Sequence, residues 1–240
     1  MLLEYDGSAY HGWQRQAGHA TVQQVVEEAI GRITAEKVTV FASGRTDAGV
    51  HALNQTAHFK TDSNIGASNL LAGINSLLPQ DVVIRDLQEA DASFHARFSV
   101  KSKVYMYQIF NGPVRPVLLR HYTWHVRRPL DVTKMEGALA LIKGCHDFSA
   151  FCGKKAAGAD CIRTILETRI ERVNSEIMRI YLEADGFLRF MVRSIVGTAA
   201  EVGKGKREPE TLWETLQSKE RKHAGPTAPP QGLFLLDVKY

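Results

Sequence analysis

The sequence predicts an α+β fold in which two βαββαβ-type halves, residues 1–100 and 101–240, share a mixed, mainly antiparallel sheet with helices packed on one side. Three observations carry this expectation. Segments of strand periodicity and of helical periodicity alternate in both halves. Two alternating apolar runs flank Asn174-Ser175, a hairpin signature that demands antiparallel pairing. No low-complexity linker separates the halves, so they are expected to pack closely.

Each element has its own reason. Residues 1–5 form a short apolar strand, followed by a polar, aromatic loop from Gly7 to Gln16. A helix starts at Thr21, because Val22, Val25, Val26, Ala29, Ile30 and Ile33 recur on one face. Thr21 and Gln24 have the spacing of a capping box. Residues 38–42 and 55–60 read as a pair of strands; a helix over 68–78 stops before Pro79, and a strand follows at 82–87. In the second half, strands are expected at 103–110 and 121–127, then a helix over 132–143 closed by Gly144. The hairpin 162–173 and 177–183 comes next. A helix over 187–202 is striped by Leu188, Met191, Val192, Ile195 and Ala199. A last helix near Pro209 and a closing strand at 233–240 complete the reading.

At 240 residues and 44% apolar composition, the chain buries a core without a disulfide or metal staple. Cys145, Cys152 and Cys161 are odd in number and include no CxxC pair, so neither a disulfide framework nor a metal site is expected. Such cysteine usage points to a reducing compartment, and the expected location is cytoplasmic. No apolar run approaches the ~20 residues of a membrane span. Residues 1–6 enter a strand at once, without the basic and apolar regions of a secretory signal. Residues 1–99 hold 7 Lys+Arg against 11 Asp+Glu, and residues 100–240 hold 23 against 15. The second half is therefore basic, as phosphate contacts require.

The densest chemical signal is Ala42-Ser43-Gly44-Arg45-Thr46-Asp47-Ala48-Gly49-Val50-His51-Ala52, between two expected strands. Its glycines allow a tight, backbone-exposing turn that presents an arginine and a carboxylate two positions apart. Gly and Asp are also ordinary turn residues, so the turn alone does not establish a site.

The whole string resembles the signature of the tRNA pseudouridine synthase A (TruA) family, in which the aspartate is catalytic. Five further segments are similar to that family in the same order. They are Glu4-Tyr5-Asp6-Gly7 with Gly12-Trp13-Gln14-Arg15-Gln16, Phe94-His95-Ala96-Arg97-Phe98-Ser99, Val104-Tyr105-Met106-Tyr107, Phe190-Met191-Val192-Arg193-Ser194-Ile195-Val196-Gly197, and Ala228-Pro229-Pro230-Gln231-Gly232-Leu233. Met106 stands where the family commonly has arginine or another polar residue, and the segment 152–160 with Lys154 and Lys155 looks individual to this chain.

The resemblance implies two ferredoxin-like halves, the first carrying the aspartate loop and the second lining the active-site cleft. It implies isomerisation of uridine to pseudouridine in the anticodon stem-loop (positions 38–40) of tRNA, without cofactor or metal, by a homodimer. Asp47 is then the catalytic carboxylate. Arg45 would help extract the nucleotide, Tyr105 would face the uracil, Arg193 would pair with the aspartate, and Leu233 would complete the substrate site. The chemistry suits a carboxylate: it can attack C6 or C1′, or assist elimination across the ribose. His51 and His95 are not needed by such a mechanism. Two other readings remain open here, a non-catalytic ferredoxin-like RNA-binding module and a carboxylate-dependent hydrolase.

Overall fold

The computed structural model describes residues 1–153 and 160–240, so Lys154 and Lys155 lie outside the described residues. In chain order the first elements are β1 (Leu2–Tyr5), α1 (Val22–Thr34), β2 (Phe41–Ala42), β3 (His51–His58), α2 (Ala67–Leu77) and β4 (Val82–Asp86). They are followed by β5 (Ser102–Phe110), β6 (Trp124–His125), α3 (Val132–Ala140), β7 (Gly144–Asp147), β8 (Ile162–Arg172) and β9 (Ile177–Ala184). The last are α4 (Met191–Gly203), α5 (Thr211–Ser218) and β10 (Leu233–Lys239). Helices and mostly antiparallel strands make this the α+β class that the sequence predicts. Among the described residues no helix is long and apolar enough to cross a membrane.

The residues divide into two compact units, Met1–Lys101 with Phe234–Tyr240, and Ser102–Leu233. In the first, β1 lies antiparallel between β3 and β4, through Leu3↔Gln55 and Tyr5↔Ala52 on one side and Leu3↔Ile84 and Tyr5↔Val82 on the other. β2 pairs antiparallel and β10 parallel to β3. The order of elements is βαββαβ, closed by β10. Leu3, Tyr5, Ala52, Val82 and Ile84 are buried, as are Val22, Val26, Ala29 and Ile30 of α1. Removing each of these Leu, Ile and Val side chains from water contributes about 1.5–3 kcal/mol.

Several local expectations are corrected. The strand expected at 38–42 shrinks to Phe41–Ala42, although Val38 and Val40 are buried. Val40 spends its backbone groups on helix side chains: its N–H donates to Glu27 Oε1 (3.0 Å), and its carbonyl accepts from Gln23 Nε2 (3.1 Å). β3 starts at His51 rather than 55, because Ala52 pairs with Tyr5 and, through β10, with Leu235. Thr21 is the N-cap of α1, but no capping bond forms; its Oγ1 is buried without a partner, and Gln24 donates instead to Glu28 (2.8 Å).

In the second unit, β5 and β9 are antiparallel along their length, and β8 and β7 extend the pairing. Alternation along β9 buries Met178, Ile180, Leu182 and Ala184. α3 packs on α4 and β8. The strand expected at 121–127 is only Trp124–His125, and β7 begins at the glycine expected merely to end a helix. α4 starts at Met191 rather than 187, because Phe190 is left-handed (φ 65°). Eleven of its 13 residues are buried, so it is covered on more than the predicted stripe. Part of the additional cover is the segment 225–228. Gly225 N–H donates to Thr198 Oγ1 (2.9 Å) and Ala228 N–H to Arg193 O (3.0 Å).

A Cβ on Gly197 would lie 1.7 Å from the Pro226 carbonyl oxygen. Gly→Ala within a helix ordinarily gains ~1 kcal/mol in propensity, whereas overpacking costs about 1–3 kcal/mol or more. With backbone as the obstacle, the clash wins. Gly197→Ala is expected to lower stability by about 2 kcal/mol, read as a lower urea midpoint at unchanged slope.

Candidate active site

The turn that carries Asp47 joins β2 to β3 in the first unit. Ser43 secures its entry: its N–H donates to Thr56 O (2.8 Å) and its hydroxyl to Gln55 Oε1 (2.6 Å), while Gln55 Nε2 donates to Gly44 O (2.9 Å). Val50 N–H closes the turn on Asp47 O (3.1 Å), and Gly49 takes the left-handed conformation (φ 74°). Thr46 points inward, where its hydroxyl is 2.8 Å from the phenol of Tyr5. Burial raises the Tyr5 pKa far above its usual range, with the hydrogen bonds to Thr46 and Gln55 opposing, so this phenol stays neutral. Arg45, one residue before Thr46, is exposed, and Asp47, one residue after it, is half-buried.

The loop after β1 supports this turn from behind. Trp13 N–H donates to Thr46 O (3.1 Å), and Gly49 N–H to Tyr10 O (3.3 Å). Trp13 itself is buried. A Cβ on Gly12 (φ 89°) would lie 2.5 Å from Thr46 O, and one on Gly7 2.0 Å from Val50 O. His51 is buried and stacks on Phe234 (4.7 Å between ring centres). Its Nδ1 is 3.1 Å from Gly7 N and 3.0 Å from Asp6 Oδ1. These contacts tie His51 to the supporting loop.

The second unit holds Tyr105, Arg193 and Leu233. Tyr105 and Tyr107, two apart on β5, share one face and sit opposite the buried Leu182 and Ile180 of β9. The Tyr105 ring meets Phe187 edge-on (5.0 Å, 82°). Tyr107 donates its hydroxyl to Pro229 O (2.8 Å); burial pushes its pKa strongly upward against the opposing charge of Arg193. Arg193 is one of two half-buried positions on α4, and its Nε donates to Ala228 O (2.8 Å). Its guanidinium also faces the Phe190 ring (5.1 Å). Leu233 is buried directly after Gly232, where a Cβ would meet Tyr107 Cζ at 2.7 Å. The segment 228–233 thus holds Arg193 and Tyr107 in one packed group.

Thr46 shapes the turn in the first unit, Phe187 and Phe190 line Tyr105 and Arg193 in the second, and sequence reasoning assigned none of the three a role of its own. Phe190 leaves no trace in the pattern because non-glycine residues rarely take positive φ. Thr46 could have been found by its place between two polar, outward residues. Among the described residues, no group of three or more His, Cys, Asp or Glu is arranged to hold a metal ion.

Strain and steric clash can be separated at two glycines of the loop after β1. Gly12→Ala combines positive φ with the 2.5 Å approach to Thr46 O, whereas Gly18 (φ 76°) has open space around its Cβ position. Gly18→Ala is expected to cost about 1–2 kcal/mol in unfolding free energy from strain alone. Gly12→Ala should cost at least about 2 kcal/mol more. Urea titrations of both variants measure the difference; equal losses would mean that the contact with the turn yields.

The sequence profile described as tRNA pseudouridine synthase matches residues 1–99 and 138–240. The chain is 44% identical over 240 residues to the tRNA pseudouridine synthase A of Thermoanaerobacter sp. (strain X514), covering all of this chain and 98% of that protein. It is 46% identical, at the same coverage, to tRNA pseudouridine synthase A 2 of Clostridium perfringens. It is likewise 46% identical over 239 residues to the tRNA pseudouridine synthase A of Brevibacillus brevis, covering 100% and 98%. With the aspartate turn in place and similarity running the full length, the chain belongs to the tRNA pseudouridine synthase family.

Proposed function

We propose that this chain isomerises uridine to pseudouridine in the anticodon stem-loop of tRNA, with Asp47 as its catalytic carboxylate. The enzyme class, an isomerase of tRNA uridines, rests on the family. The aspartate role is supported by one observation above all. Asp47 is half-buried in a turn held from behind by backbone contacts, beside an exposed arginine. A fixed carboxylate loses little freedom on meeting its target, which is the condition for efficient attack.

The reaction breaks the C1′–N1 bond, turns the uracil and rejoins it through C5. The Asp47 carboxylate supplies the nucleophile at C6 or C1′, or assists elimination across the ribose. A stacked uridine must first leave its helix, at a cost of a few kcal/mol. Arg45, exposed at the lip of the turn, is suited to occupying the vacated space and pairing with phosphate. Tyr105 offers a ring for the uracil and a phenol for the C5 proton. In this reading Arg193 offsets the charge of Asp47, Leu233 bounds the substrate site, and the enzyme works as a cytoplasmic homodimer with tRNA across both subunits, without cofactor.

Asp47→Asn keeps the volume and turn preference of the residue while removing its charge and nucleophilicity. Folding and tRNA binding are expected to persist, and pseudouridine formation to fall by at least about 10³-fold. Chemical labelling of pseudouridine, beside a binding titration on the same preparation, reads both quantities. Asp47→Ala controls for slow hydrolysis of the amide. Full turnover by the alanine variant would remove the carboxylate from the mechanism; absence of product from the parent protein would favour an RNA-binding module instead.

Tyr105→Phe retains the stacking ring and removes the phenol. Single-turnover assays at saturating tRNA should show binding preserved and product formation slowed by about 10²- to 10⁴-fold, the scale of lost acid–base help. A normal rate would leave stacking as the tyrosine's role.

A further inference from the structure

A cluster of rings in the first unit has no part in the reaction described above. Phe41 stacks on His58 (5.3 Å, 20°), His58 meets His95 (4.7 Å), and His95 lies against Phe98 (4.4 Å, 34°). The two ends of this row are open to solvent: Phe98 is 76% exposed and Phe41 48%. Exposing a large aromatic ring forgoes the gain from burying it, and such rings grouped together mark binding surfaces.

The row is built to stay in place. Ala96 N–H donates to His58 Nδ1 (3.1 Å) and Arg97 N–H to His95 Nδ1 (3.1 Å), so each imidazole braces the loop that carries Phe98. Tyr240 anchors the same loop, donating its hydroxyl to Ala96 O (2.8 Å) and packing on Phe94 (5.0 Å). The loop begins at Asp91, whose carboxylate accepts from the backbone and hydroxyl of Ser93.

Positive charge borders the rings. The Arg97 guanidinium is 5.7 Å from the Phe98 ring centre. Burial lowers the His58 pKa first, and His95, the chain's amino terminus and Lys60 lower it further, which registers the cationic surroundings. Flat exposed rings beside cations match a nucleobase and its flanking phosphates, since every base offers a π-face.

We propose that Phe41, His58, His95 and Phe98 form a stacking platform for an unpaired base of the RNA substrate, with Arg97 and Lys60 meeting its phosphates. This rests on the RNA reading above. The platform's contribution is to hold the RNA; it is separate from the rearrangement of the uracil.

The test compares Phe98→Leu, Phe98→Ala and Phe98→Trp in the full chain. Affinity is measured for unmodified tRNA and for a short single-stranded RNA containing 2-aminopurine, whose fluorescence is quenched on stacking. Phe98→Leu and Phe98→Ala should each weaken tRNA binding by about 5- to 100-fold, the range for losing one stacked base. Phe98→Trp should bind at least as well as the parent and quench the probe. Single-turnover product formation at saturating tRNA should be unchanged in all three. Parent-like affinity in Phe98→Leu, or an absence of quenching in the parent and in Phe98→Trp, overturns the platform. If the parent itself forms no pseudouridine, the reading of function fails instead; active parent with unaffected Phe98 variants sinks only the platform.

Discussion

A Cβ on Gly7 would stand 2.0 Å from the Val50 carbonyl oxygen, and one on Gly12 2.5 Å from that of Thr46. Backbone there lies directly against backbone, and no side chain fits between. The turn around Asp47 is therefore positioned by the main chain of another loop, through Trp13 N–H on Thr46 O and Gly49 N–H on Tyr10 O. The Asp47 carbonyl closes the turn on Val50 N–H, Arg45 is exposed, and Asp47 is half-buried. Thr46, between them, is the residue committed inward, to Tyr5.

The second unit uses the same constraint around Arg193. Gly197 admits the Pro226 carbonyl onto α4, Gly225 lies against Thr198, and Gly232 lies against Tyr107. The segment between these glycines accepts the Arg193 Nε and the Tyr107 hydroxyl on consecutive carbonyls, those of Ala228 and Pro229. Each buried donor thereby finds a partner, which matters because an unmet one costs about 1–3 kcal/mol. Among the described residues, two buried hydroxyl oxygens depart from this rule, Thr21 Oγ1 and Ser194 Oγ.

Burial also determines protonation. Tyr5 and Tyr107 are shifted strongly upward by desolvation, so both act as neutral hydrogen-bonding groups at physiological pH. Neither adds a negative charge beside Thr46 or Arg193. The basic excess lies in residues 100–240, whereas residues 1–99 carry a net negative charge.

Much was determined by the sequence alone. Helical periodicity located α1 and α2, and strand-like patterning located β5, β8 and β9, because such patterns arise from local geometry that any fold must respect; Asp47 was picked out by a family resemblance. Other features depended on partners distant in the chain. Residues 38–40 have strand-like composition, but Val40 bonds to Gln23 and Glu27 of α1 instead of a neighbouring strand. α4 has the stripe of an amphipathic helix, yet α3, α5, residues 149–151 and the segment 225–228 together cover it on several sides. Thr21 has a capping residue's identity without its bond. The brace of Gly7 and Gly12 behind the aspartate turn, and the row of rings from Phe41 to Phe98, likewise join residues about 30 to 60 positions apart. Only tertiary structure could decide these, because a close approach of backbones or rings is set by where the chain returns and leaves no periodicity to read.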